Sequence, residues 1–134
     1  MHMTGTGFAA LAVAALVPAA SAASLSQEAD INGALFEIAV ANEIRKRCDS
    51  ISPRIFTALS RMRALKDEAR KRGYSDAEID AYVNDEVEQQ KMRERRNAYL
   101  RAHGAEPKDG PSLCALGQSE IAKQSRIGSL LWAR

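Results

Sequence analysis

Cys48 and Cys114 are the residues of this chain best suited to chemistry, and they are its only cysteines. Two thiols can hold a metal, shuttle electrons or staple the chain. A redox pair most often takes the spacing Cys-x-x-Cys, which is absent. His103 is the one histidine beyond residue 22, and it cannot make a typical zinc site with two cysteines that are expected to be oxidised. Covalent haem needs Cys-x-x-Cys-His, also absent. The staple remains, if the compartment is oxidising.

Other candidates have simpler readings. His103 lies where a helix is expected to end, and a partly charged imidazole suits that pole of the helix dipole. Asp76, Asp80, Asp85, Glu86 and Glu88 crowd one segment. They read as a solvated acidic face rather than a divalent-ion site, because no alternating oxygen-ligand loop is present. Arg61, Arg63, Lys66, Arg70, Lys71 and Arg72 form one basic group, and Lys91, Arg93, Arg95, Arg96 and Arg101 another. Acidic residues interleave with both, so they read mostly as solvated faces, with docking of an acidic partner or an anionic headgroup as the alternative. No glycine-rich phosphate loop and no local serine-nucleophile motif occur. The sequence therefore predicts no catalytic residue, no cofactor and no metal ligand.

The compartment is indicated by the first 22 residues. Residues 8–17 are ten apolar residues, the size of a signal-peptide core and too short for a membrane span. Pro18 breaks that core, and Ala20-Ser21-Ala22 offers the small residues a signal peptidase reads. Cleavage is expected after Ala22, with Ala23 the second choice. This predicts a periplasmic or secreted protein with a signal peptide over 1–22 and a single helical domain over 23–134. The 19 basic and 17 acidic side chains leave a net charge of +2. That balance argues against a dedicated nucleic-acid binder and limits membrane contact to the periphery. Scarce aromatics and abundant Ala, Arg, Glu, Leu and Ile fit an all-helical fold.

Four helices are expected. The first spans 26–47, with Ile31, Leu35, Ile38, Ala41 and Ile44 in one stripe. Glu28 and Asp30 lie near its start and Arg45, Lys46 and Arg47 near its end, as the dipole favours. Ser52-Pro53 reads as N-cap and first helical position of the second. In that helix Ile55, Leu59, Met62 and Ala69 share a face flanked by Phe56 and Leu65, and Gly73 is placed to end it. The third is expected over 76–103. Ser75 and Glu78 make a capping box there, and Tyr74 and Ile79 a hydrophobic staple. Its first half carries the stripe Ile79, Tyr82, Val83 and Val87. Between Glu88 and Asn97 only Met92 is apolar, so that stretch is expected to be solvated or to project. A loop over 105–112 leads to the fourth helix, 112–131. There Gly117 and Gly128 read either as a close-approach surface or as signs of a frayed helix.

Short connections predict a four-helix up-down-up-down bundle. That topology brings the end of the first helix, with Cys48, to the start of the fourth, with Cys114. Topology and compartment thus agree on a disulfide.

The chain also resembles an uncharacterised "domain of unknown function" family of short exported alphaproteobacterial proteins of the Rhodobacter type. The likeness rests on Ile44-Arg45-Lys46 with Cys48, on Ile51-Ser52, and on the run Gly73-Tyr74-Ser75-Asp76-Ala77-Glu78-Ile79-Asp80-Ala81. It continues in Tyr99-Leu100 with Gly104, in Cys114-Ala115-Leu116-Gly117, in Glu120-Ile121-Ala122 and in Ile127-Gly128-Ser129-Leu130-Leu131. The resemblance implies a periplasmic or secreted location and brings no activity, ligand or partner.

The function expected is therefore non-enzymatic: a disulfide-stapled helical module that binds or supports another periplasmic or envelope protein. Glu88, Lys91, Arg93, Arg95, Arg96 and Arg101 form the expected partner surface. A periplasmic stress or acid chaperone is the second reading. An enzyme or metal-binding protein is the third.

Overall fold

Helix α1 (Ala29–Arg47) is the axle around which the rest of the chain is wound. Every residue from 31 to 44 is buried or half-buried, so this helix is covered by neighbours over most of its surface. These features come from a computed structural model, which describes residues 24–134 together with 2, 3, 5, 7 and 9–13. Most of the expected leader, and its cleavage point after Ala22, lie outside the described residues.

After α1 the chain forms a short strand β1 (Ile51–Pro53), then α2 (Ile55–Lys71), α3 (Asp76–Val83), α4 (Glu86–Ala102) and α5 (Gly110–Ala122). Single 3-10 turns occupy Leu25–Gln27 and Gly128–Leu130, and strand β2 (Leu131–Ala133) ends the chain. The strands pair antiparallel, with Ile51 opposite Ala133 and Pro53 opposite Leu131. Helices α2, α4 and α5 each pack on α1.

The architecture is all-helical and disulfide-bonded, but the four-helix up-down-up-down bundle is corrected: the described residues form five α-helices, with α2, α4 and α5 packed on a central α1. Two local features account for the change. The expected third helix breaks at Asn84, because the Asp85 side chain caps a new helix by accepting from the Glu88 amide at 2.9 Å. The expected fourth helix stops at Ala122, and Gln124 turns the chain in the left-handed region (φ 53°). The second helix also starts later than expected. Ser52-Pro53 is not a helix start but part of β1, held by a strand about 80 residues away in sequence.

Several local signals are realised as read. The Ser75–Glu78 capping box is present in both directions, and Tyr74 and Ile79 share one apolar cluster. Gly73 has φ 94° directly after α2. The last turn of α1 carries Arg45, Lys46 and Arg47.

Two cores lie along α1. The larger gathers Val40, Ile44, Cys48, Ile51, Leu100, Leu113 and Leu131, among others. The smaller joins Leu25, Ile31, Ala69, Tyr74 and Ile79. Cys48 and Cys114 are disulfide-bonded with Cα atoms 5.2 Å apart. One turn further along α5, Gly117 faces Ile44 and Ile51 so closely that a Cβ there would meet Ile44 Cγ2 at 2.7 Å. The close-approach reading of Gly117 is therefore the one realised. Gly128 is equally constrained, because a Cβ on it would run into the Glu120 carbonyl. It lies beyond α5, however, so the two glycines do not share a helix face.

Candidate functional site

Helix α2 forms the right amphipathic pattern and leaves much of its apolar face uncovered. Ala69 is its only buried residue. Ile55 is 58% exposed, Leu59 46% and Met62 39%, and Phe56 is almost fully exposed at 88%. Helical spacing predicts the shared face and cannot say whether an apolar stripe meets the core or a partner.

The uncovered residues form a continuous strip. At one end Pro53, Ile55, Phe56 and Trp132 surround a shallow hollow over Arg54. Trp132 is 52% exposed, and the Arg54 guanidinium lies 5.3 Å from its ring centroid, a cation–π contact. Ile55 is shared with a second hollow, of about 220 Å³, between α1, α2 and the C-terminal ribbon. Leu59 is shared in turn with a third, of about 250 Å³, between α1, α2 and α3. Val83, also half-exposed, lines its far side. Exposed apolar side chains of this size present on the order of several hundred Å², the scale that marks interaction sites.

The charges lining the strip are mostly positive. Arg45, Arg54, Arg63 and Lys66 line it, with Asp80 as the acidic member. Arg45 donates to the Asn42 side chain at 2.9 and 2.7 Å, and Arg54 to the Leu131 carbonyl at 3.1 Å. Among the described residues, none of the four cations pairs with a carboxylate within 4.0 Å.

On α4, four of the six residues expected as a partner surface, Lys91, Arg93, Arg95 and Arg101, are exposed, and Glu88 and Arg96 are half-buried. Arg96 Nη1 lies 3.5 Å from Glu43 Oε2, and the Glu43 side chain is only 4% exposed. The Arg95 guanidinium covers the Phe36 ring at 4.5 Å from its centroid. Glu88 is half-buried and pairs with Lys91 at 3.0 Å. Arg93 donates to Gln90, Arg101 lies 3.7 Å from Glu106, and Lys91, Arg93 and Arg101 are exposed. This polar stretch therefore lies along α1, held by cationic and aromatic contacts that a search for apolar periodicity does not detect.

Other titratable residues serve the fold. Tyr99 donates to Glu120 Oε1 at 2.6 Å, and Ser125 donates to Glu120 Oε2. Burial, then the bond to Glu120, holds the Tyr99 hydroxyl well above its ordinary pKa. His103 ends α4, stacked on Tyr99 with centroids 3.9 Å apart. Arg72 ties the start of α1 to the end of α2, donating to Asp30, Glu28 and Glu68. Its hydrogen bond is the main reason the Asp30 pKa falls to about 2. Hydrogen bonding from Arg70 lowers that of Asp76 in the same way. Among the described residues no three His, Cys, Asp or Glu side chains are grouped to hold a metal ion. No helix there is long and apolar enough to cross a membrane.

Residues 23–132 match a family of unknown function, DUF5333. The chain belongs to this family. Neither the curated proteins nor the solved structures compared with it yield a match. In this DUF5333 member, then, the geometry of the α2 strip carries the functional argument.

Proposed function

We propose that this protein is a non-enzymatic docking module of the bacterial cell envelope, exported by its leader, cleaved after Ala22, and bound through α2 to another periplasmic or envelope protein. The observation that carries this reading is the continuous apolar strip from Trp132 and Phe56 through Ile55 and Leu59 to Val83. A folded chain that leaves Trp, Phe, Ile and Leu exposed on one face presents the residue types that dominate interface cores. Two observations support the compartment. The family match begins at residue 23, directly behind the expected cleavage point, and the two cysteines are paired as an oxidising environment would leave them. The exported, Rhodobacter-type character of the resembling family fits the same reading.

Photo-crosslinking in cells tests it. A photoreactive residue at Phe56 or Met62 is expected to trap one envelope protein, whereas the same probe at Arg93 or Arg101 on α4 traps little. Crosslinks from α4 alone, or from neither face, would refute docking through α2. An aggregation assay with unfolded clients at neutral and acidic pH separates docking from the chaperone reading. Suppression in that assay without a specific crosslink would favour the chaperone.

A further inference from the structure

We infer that the partner presents an acidic amphipathic helix to the α2 strip. This rests on the docking role proposed above and specifies the chemistry of its partner. Shape is the first argument. The strip is grooved, with hollows of about 220 and 250 Å³ on the two sides of Leu59. Ile55, Leu59 and Met62 repeat at the four- and three-residue steps of a helix face. A second helix laid along them would insert its own apolar residues at matching steps, the usual form of helix-in-groove recognition. A bilayer surface would meet the exposed Phe56 and Trp132 but leave the hollows unfilled.

Charge is the second argument, and it selects among occupants. Arg45, Arg54, Arg63 and Lys66 line the strip, none within 4.0 Å of a carboxylate among the described residues and only Lys66 acting at longer range on one, Asp76, against the single Asp80 in the lining. A second copy docked face to face would bring the same cations together, which is repulsive. The leader offers no compensation, because residues 1–23 contain no Asp or Glu. Its described residues Leu11 and Val13 are also exposed rather than seated on α2. A helix with Asp or Glu flanking an apolar face supplies both the side chains for the hollows and the charges for their rims.

The test uses full-length protein and defined probes. One is an 18-residue helical peptide with leucine at i, i+3, i+4 and i+7 and glutamate on both flanks. The second is its twin with lysine for glutamate, and the third is phosphatidylglycerol vesicles. Trp132, the only tryptophan, reports from one end of the strip by fluorescence, and backbone amide shifts report along α2. The glutamate peptide is expected to bind at least tenfold more tightly than the lysine peptide. The double variant Arg63→Glu/Lys66→Glu, at two exposed positions, is expected to lose at least tenfold for the glutamate peptide while keeping its fold. Equal binding of the two peptides, or indifference to the double variant, would overturn the inference. So would α2 shifts caused by vesicles alone, or by raising the protein concentration alone. In cells, a crosslink from Met62 to a segment without acidic flanks would overturn it and leave the docking role standing. No crosslink from either face would remove both.

Discussion

Reducing the Cys48–Cys114 bond is expected to destabilise the fold far more than any single side-chain change on its surface. The bond closes a loop between residues 66 apart. In the chain-entropy model a loop of that size restricts the unfolded ensemble by about 4 kcal/mol at 25 °C. For a folded unit of roughly 110 residues, the typical unfolding entropy converts this to a fall in Tm of about 15–20 °C. Cys48 lies in the larger core, so replacing it would add a packing penalty. Chemical reduction of the unaltered chain avoids that confusion. The assay is thermal and urea unfolding, by far-UV circular dichroism, of oxidised protein and of protein held in a thiol reductant, with free thiols counted at the end. A Tm difference below about 5 °C with full reduction would refute the reasoning. It would mean that the β1–β2 ribbon and the α1–α5 contact already hold these chain ends together when the rest unfolds.

Three further outcomes follow from the geometry. Gly117→Ala is expected to cost about 1–3 kcal/mol by forcing Ile44 and Ile51 apart, and Ile51→Val in the same chain to recover part of it, measured by urea unfolding. Phe56→Ser, at an 88% exposed position, is expected to change stability by less than about 0.5 kcal/mol although it removes an aromatic ring. A larger loss would show that Phe56 belongs to the core. The acid dependence has a definite sign. The Asp30 pKa is lowered to about 2 in the folded state, so its contribution is complete above the unfolded value near 3.9 and is lost as pH falls through about 2. Asp76, also lowered, acts in the same direction. Stability is expected to decline from about pH 4 downward, and Asp30→Asn to flatten that decline; an unchanged profile in the variant would count against the Arg72 cluster as its source.

The legible parts of the fold are those whose chemistry is local. Ser75, Glu78, Tyr74 and Ile79 specify a helix start within six residues, and Gly73 marks the helix end before it. Asp85 with Glu88 is also a capping signature, but the apolar stripe continues from Ile79 to Val87 and hides the break. Ser52-Pro53 satisfies the rules for a helix start, yet its backbone is recruited by Leu131–Ala133, and nothing near residue 52 encodes that partner. The turn at Gln124 and the end of α5 were illegible for a related reason, since glutamine carries no preference for the left-handed region.

The same distinction holds for the docking strip. By itself the sequence determined that α2 would be amphipathic, that Cys48 and Cys114 were the available staple, and that positive charge would cluster on α2, because each of these is a matter of residue type and spacing. Only the tertiary structure decided which apolar face was left without a neighbour. Helix α1 is packed against α2, α4 and α5, and α4 docks through the buried Leu100 at its end and through Arg95, Arg96 and Tyr99 along its polar stretch. Apolar burial is non-directional, so a hydrophobic pattern states that a surface seeks a partner without naming it. The partner is set by how many helices compete for α1, and in this fold α2 meets it along one edge and leaves Ile55, Phe56, Leu59 and Met62 open.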